Sequence, residues 1–581
     1  MTHKSFRRSG DILDRTYGKY MIPATLTAVG ISLSEFADSL IVGQLLNAES
    51  FAIVNLGTPI VFLVCMIYNI TGMGGSILYA ENLGKKQKQN ADGYFTASTF
   101  LSVFTGLLLL ILLIMCHTFI GDILGCPEEL RSDFDKYIKL LCLFVPIGIV
   151  LMHLSFFLPI IGKPLLSTVL VVAVNVLNIV LDIVLIRGSG MGCEGAAAAT
   201  LLSYTIVFVF AVIICIISKV PFSIYKPKNI GKCVSDIVSK GFPFGIGQAG
   251  YAVTTAFCNH FMNADFGTEG VVAMSMFAQM DSVISIALSG IVDNNASFTA
   301  MLKGEGDYFG IRSLTKRVAV MIFSVCSVIS VLFVLFSRNV AAAFNIRENT
   351  SLMLIAALTP IYVIYYPPRS ILLLLRDAYN TLDRTTYASL LGILDKVVSI
   401  PLIGGILYFM IGGYGIIMAF PVSMLVIALF IIIVNRSIVK KSEGRYSPIL
   451  LLDEQYPLKA LCSFTSDSVK SPAEAGKIIS ENMKEYNVDK AISDKICLAV
   501  EEMFTYIREN SDSDTSSDIM ICSDDKSYII IFRDPGKPFC PINTDSTDMI
   551  ENELMLTRYF MVKHEYILGL NSTSLTIGDI S

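Results

Sequence analysis

Residues 175–186, NVLNIVLDIVLI, set three polar side chains in an otherwise aliphatic run. Asn175, Asn178 and Asp182 stand at i, i+3 and i+7, which is one face of a helix with 3.6 residues per turn. A carboxylate with amide oxygens within two turns can take up a proton or hold a small cation. A second acidic pair, Glu35 and Asp38, lies three residues apart in another apolar stretch. Carboxylates that close repel, which favours protonation of one near neutral pH, unless Glu35 simply sits at a water-filled entrance. His260, Asp281, Asp293 (in SGIVDNNASF) and Asp395 are further polar groups in apolar segments. They are candidates to meet a cationic substrate in a cavity, or to line a hydrated gap without selectivity. No metal is expected, since no grouping has metal-ligand spacing.

What positions these groups is a set of membrane helices. Of 581 residues, 53% are hydrophobic and 16% charged, against roughly 25% charged in soluble domains; mean hydropathy is +0.63. An Asp at the centre of a membrane helix costs about 2.5–3.5 kcal/mol, so it persists only where it faces protein or water. For Asp182 the competing reading is a structural carboxylate bonded to a neighbouring helix. The 13 cysteines are scattered and form no C-x-x-C pair, as suits reduced thiols.

A crossing needs about 20 apolar residues. Such runs predict twelve spans, near 20–46, 52–82, 95–120, 134–161, 164–186, 195–218, 240–264, 270–300, 315–337, 351–375, 386–410 and 414–435. Alternate gaps are rich in Lys or Arg (KKQKQ, GKP, Lys219–Lys240, KGEGDYFGIRSLTKR, RDAYNTLDR), and the others are poor in Lys. Positive-inside bias places the basic gaps and both termini in the cytoplasm of a multi-pass cell-membrane protein. The basic start carries no cleavage site, so residues 1–19 read as a cytoplasmic N-terminus.

A shift of 220 residues aligns the chain with itself: Pro23 meets Pro243, Glu49 meets Glu269, Gly84 meets Gly304, Gly195 meets Gly415 and Ser203 meets Ser423. This divides the chain into an N-lobe, 20–218, a cytoplasmic linker, 219–239, and a C-lobe, 240–437. Each lobe has six helices, the two being related by an axis along the membrane normal with a cavity between them. The acids do not survive duplication. Asp38 maps onto Cys258, Asn178 onto Val398 and Asp182 onto Leu402, so shared helix packing does not require them.

FADSLIVGQLL in the first span, GMGGSILYAENLGKKQKQ after the second, N-x-x-N-x-x-x-D in the fifth and GCEGAAAAT opening the sixth together resemble the multidrug and toxic compound extrusion (MATE) family over roughly residues 10–440. The resemblance implies twelve helices in two lobes and cation-coupled export of organic, often cationic, compounds. It also implies a proton or sodium site on Asp38, Asn178, Asp182 and Thr200. Other members use acids of the C-lobe, particularly in the seventh span, which here offers His260 and no mid-membrane carboxylate.

After a linker at 438–454 the composition turns polar, and residues 455–581 read as a small cytosolic α/β domain. SPAEAGKIISENMKEY and VDKAISDKICLAVEEMFTYIREN have helical periodicity; SSDIMICSDD, KSYIIIFRD and KHEYILGLNSTSLTI read as strands. The order is similar to the GHKL-type ATPase fold, nearest to anti-sigma-factor serine kinases. That resemblance implies a nucleotide pocket at Glu502, Tyr506, Asp534 and Gly536. Tyr506 stands where the family has its magnesium-holding Asn, and MIENELMLTRYF lacks the glycines of a phosphate loop. A degenerate, catalytically silent domain follows, one that could bind a cytosolic protein. The expectation is a monomeric secondary antiporter moving small organic molecules against H+ or Na+, with no tightly bound cofactor and no nucleic-acid partner. The rival readings are a lipid-linked precursor flippase and a membrane-bound regulatory kinase.

Overall fold

Inside lipid a backbone satisfies its amides only in helices or closed barrels, and this chain uses helices. The computed structural model describes most of the protein; residues 1–11, 14, 28–47, 124–127, 218–224, 228, 289–290, 293, 344–348, 455–458, 467–468, 470, 511–515, 525–526, 539–558 and 579–581 lie outside the described residues. Among the described residues nine helices are long and apolar enough to cross a membrane, from Pro59–Gly84 to Gly413–Lys441. They coincide with the second to sixth and ninth to twelfth expected spans. The seventh and eighth fall in one helical stretch, Ile230–Leu288, broken at Gly267 (φ 58°, ψ −142°). Asp265, just before that break, accepts bonds from Gly413 N (2.6 Å) and Tyr408 Oη (2.8 Å), fastening this turn to the one between the last two spans. The first span is described as helix at 15–27 and then passes outside the described residues.

Single-turn π segments interrupt the helices at Asn69–Met73, Ile183–Gly188 and Leu394–Val398, and 291–292 are π-helical as well. Such bulges re-aim side chains and are frequent at functional positions. Asp182 directly precedes the second, while Asp395 and Lys396 lie inside the third.

The repeat has a physical meaning at the Lys-rich end. Helix Gly74–Gly84 packs on its counterpart Asn294–Glu305, and they cross where Gly84 meets Gly304. A Cβ on Gly84 would lie 2.3 Å from Met301 O, and one on Gly304 would lie 2.2 Å from Glu81 O, so only glycine permits this approach. Charges then close the end. Lys303 Nζ bridges Glu81 of the N-lobe (2.8 Å) and Asp383 of the C-lobe (2.6 Å), and Lys240 Nζ also binds Asp383 (2.8 Å). Burial alone would raise the Asp383 carboxyl, but Lys240 and Lys303 pull it down to about 2. Gly84→Val should disfavour this crossing by about 1–3 kcal/mol, as overpacking does. A widened spin-label distance between the two helices at the Lys-rich end would report it.

The tail builds its own core. Strands β1 (Lys459–Thr465), β2 (Asp518–Ser523), β3 (Ser527–Asp534), β4 (Met561–Ile567) and β5 (Leu570–Gly578) form one antiparallel sheet in the order β1-β2-β3-β5-β4. KHEYILGLNSTSLTI is thus a hairpin, turning at Leu568 and Gly569, both of positive φ. Helices Pro472–Glu485 and Lys490–Asn510 cover one sheet face, burying Ile479, Val500, Phe504, Ile530 and Phe532 together. The first of these begins on Ser471, whose Oγ accepts from Glu474 N (3.3 Å).

Candidate functional site

The fifth and sixth spans pack side by side, and the start of the first span lies against the fifth: Thr27 Oγ1 donates to Thr168 Oγ1 (3.0 Å), which donates to Pro23 O (3.0 Å). On the fifth span Asp182 is buried, whereas Asn175 and Asn178 are partly buried, and the Nδ2 atoms of both amides have no hydrogen-bond partner among the described residues. Unsatisfied amides beside a buried carboxylate are a polar site with spare bonding capacity. Thr200 Oγ1 donates to Ala196 O within its own helix (3.1 Å), keeping its lone pairs available. Asp38 and Glu35 lie outside the described residues, as does Asp293.

The C-lobe gathers a second polar set. Asp395 and Lys396, adjacent in sequence, point to different partners, as neighbours on a helix must. Asp395 Oδ2 lies 3.7 Å from Arg369 Nε, and Lys396 Nζ lies over the rings of Tyr365 and Tyr251, at 5.5 and 5.6 Å from their centres. Asp281 is buried and accepts from Tyr362 Oη (3.2 Å). His260 is exposed and stands edge-on to Phe261, while His153 is core, paired with Thr99 Oγ1 (3.0 Å). Arg369 and Lys396 were not among the expected site residues; their signal was a cation inside an apolar span. Among the described residues no three His, Cys, Asp or Glu side chains converge as a metal site.

In the tail, Asp534 is buried and accepts from Gly536 N (3.1 Å), Asn571 Nδ2 (3.3 Å) and Ser517 Oγ (3.4 Å), so its carboxylate holds the loop after β3. Glu502 and Tyr506 lie partly buried on helix Lys490–Asn510. Most of MIENELMLTRYF lies outside the described residues.

A buried ion cluster among the described residues escaped sequence reading. Alternation along β3 sends Ile530 and Phe532 to the helices and Arg533 to the opposite face. There the guanidinium, 1% exposed, meets Glu305 (2.6 Å) and Asp307 (2.9 Å) of the C-lobe and Asp518 (3.0 Å) of its own domain. Lys86 of the N-lobe reaches Glu305 (3.2 Å) and Ser572. Nearby, Leu568 N donates to Ile160 O (2.7 Å) and the Tyr566 ring abuts Gly162. The tail therefore grips both lobes at their Lys-rich end.

Burial would raise the pKa of Glu305, but Arg533 and Lys86 outweigh it and hold the carboxyl below the usual glutamate range. A depressed pKa stabilises docking fully above the undocked value and loses that stabilisation as pH falls through the docked one. Tail docking should therefore hold at neutral pH and weaken progressively below about pH 4.5. Spin-label distances between Lys88→Cys and Lys537→Cys, followed through an acid titration, should lengthen in that window.

Two lobes of apolar helices around buried polar groups, closed at one end and carrying a tail, define a polytopic helical membrane protein with the MATE fold. Residues 23–184 match the MatE family model. Over 74% of the chain the structure superposes on the outward-facing conformation of a multidrug resistance MATE family transporter of the MOP superfamily, with TM-score 0.68, 19% identity and 96% of that chain covered. A variant of the Vibrio cholerae MATE transporter VcmN gives TM-score 0.69 at 16% identity, covering 74% of this chain and 98% of that one. In sequence, the multidrug export protein MepA of Staphylococcus saprophyticus is 24% identical over 294 residues, 50% of this chain and 64% of that protein. MepA of Staphylococcus haemolyticus is 25% identical over 257 residues, 43% of this chain and 57% of that protein. The chain thus matches less than two thirds of the length of these relatives.

Proposed function

We propose that the protein is a secondary antiporter that exports organic, drug-like and largely cationic compounds in exchange for H+ or Na+, by rocking of its two lobes. The observation that carries this reading is the buried Asp182 beside the unsatisfied amides of Asn175 and Asn178, in a chain of MATE fold. Similarity to multidrug export proteins supports it. On this reading Asp38 and Thr200 complete the ion site, and the Lys-rich end is cytoplasmic. Because the tail grips both lobes there, it must yield when that end opens. Its antiparallel sheet backed by two helices is consistent with a GHKL-like remnant, with Tyr506 in the position of the metal-holding Asn.

The substrate class is tested with purified protein in vesicles, by competition between a cationic dye and neutral or anionic compounds of similar size. Competition by cations at tenfold lower concentration supports the reading; equal competition by neutral compounds contradicts it.

A further inference from the structure

At the Lys-rich end of the C-lobe a groove of about 570 Å³ opens between helix Tyr308–Ala343, helix Tyr366–Thr381 and the linker at 447–454. Sites that take an organic ligand have volumes of roughly 300–1,000 Å³. Most of the lining is apolar, including Ala319, Ile371, Leu374, Leu375 and Leu450. Its positive charge comes from Arg312 and Lys316, four residues apart and so on one helix face. Arg312 is already paired with Glu454 (2.6 Å). Lys316 is exposed, and among the described residues no ion pair or hydrogen bond reaches its ammonium. Thr315, on the same groove, is 4% exposed, and its Oγ1 has no hydrogen-bond partner among the described residues. The groove thus offers one uncompensated cation and one unused hydroxyl.

The linker wall is fixed in place. Asn435 Nδ2 donates to Pro448 O (3.0 Å) and Ile449 O (3.1 Å), Tyr379 Oη donates to Ile449 O (2.6 Å), and Leu452 N donates to Ser447 Oγ (2.9 Å). The Ile449 side chain nevertheless stays 67% exposed on this wall. Shared helix packing does not require the cations, because in the internal repeat Arg312 corresponds to Asp92, Thr315 to Phe95 and Lys316 to Thr96.

Lys316 stands just before the uncharged run 318–337 of its helix, where a lysine carries its ammonium to the level of the lipid headgroups. An apolar groove with a free cation at that level is complementary to an amphiphile with an anionic head. A plain organic cation would be repelled by Lys316, and a small water-soluble anion would leave the apolar lining unused. We propose that this groove seats an anionic phospholipid, its phosphate on Lys316 and Thr315 and its acyl chains along Ile371 and Leu375. The site requires only a chain that spans a membrane, and it stands apart from ion coupling at Asp182.

The chain contains no tryptophan, so Ile449→Trp supplies a single fluorescent reporter on the groove. The full chain carrying it is reconstituted in phosphatidylcholine vesicles with a minor fraction of brominated phosphatidylglycerol or, in parallel, brominated phosphatidylcholine. Bromines on the acyl chains quench an adjacent indole. The anionic lipid should associate with the reporter about fivefold more strongly than the zwitterionic one, the preference one lysine confers near the membrane surface. Adding Lys316→Gln should bring the two lipids level. Lys316→Arg, which keeps the charge, should keep the preference and guards against simple misfolding. Excess inorganic phosphate should leave the quenching unchanged, since it has no acyl chains to fill the groove. Equal quenching by the two lipids before Lys316 is changed, quenching by neither, a preference that survives Lys316→Gln, or displacement by phosphate would overturn the site. No gradient or export is read, so the result is independent of the antiport reading.

Discussion

Arg533→Met should release the tail from the membrane domain. The substitution leaves Glu305, Asp307 and Asp518 facing one another without their shared cation, in a site where the guanidinium is 1% exposed. Removing one partner from a buried ion cluster costs about 3–5 kcal/mol, because the remaining charges stay desolvated. That converts to a shift of roughly two to three and a half orders of magnitude in the docking equilibrium. Lys86 cannot compensate, since it reaches only Glu305 among these acids in the structure. The spin-label distance between tail and membrane domain should lengthen and broaden in Arg533→Met. Adding Glu305→Gln should recover part of the docking, because one uncompensated charge is removed. An unchanged distance distribution in Arg533→Met would show that the remaining contacts, Leu568 N to Ile160 O and Lys86 to Ser572, suffice.

The expected result at Asp182 is larger in function than in stability. Neutralising a carboxylate in the membrane lowers its insertion cost, so Asp182→Asn should fold and insert. An ion can drive alternation only through its different affinity for two conformations, and on the proposed reading the carboxylate gives H+ or Na+ that difference. Asp182→Asn should therefore cut gradient-driven export at least a hundredfold while leaving passive, downhill exchange of substrate measurable. Asn178→Ala, which removes the neighbouring amide and not the charge, should fall in between.

How far residues alone led depends on distance along the chain. The polar stripe on the fifth span was legible because a period of 3.6 makes neighbours of positions three and seven apart. Most spans were legible for the same local reason, and so was the joint between the seventh and eighth: the polar stretch NADFGTEG separates the two apolar runs, and Gly267 turns the chain inside it. The Gly84–Gly304 identity in the repeat was visible, while its meaning as a crossing point needed coordinates. Arg533 was read only as the end of a strand, since its acids lie 226 and 228 residues away. Lys396 was read as one half of an adjacent charge pair; its tyrosine surroundings come from two other spans.

Coupled export is the central claim, and one measurement meets it directly. The purified chain is reconstituted into vesicles loaded with a cationic dye, and dye movement is followed while a proton or a sodium gradient is imposed separately, then collapsed. The reading developed from Asp182, Asn178 and the closed Lys-rich end predicts that one of the two gradients drives dye uphill, that collapse stops it, and that Asp182→Asn abolishes the response. Dye movement by inserted wild-type protein that ignores both gradients, or a fully driven response in Asp182→Asn, would contradict it.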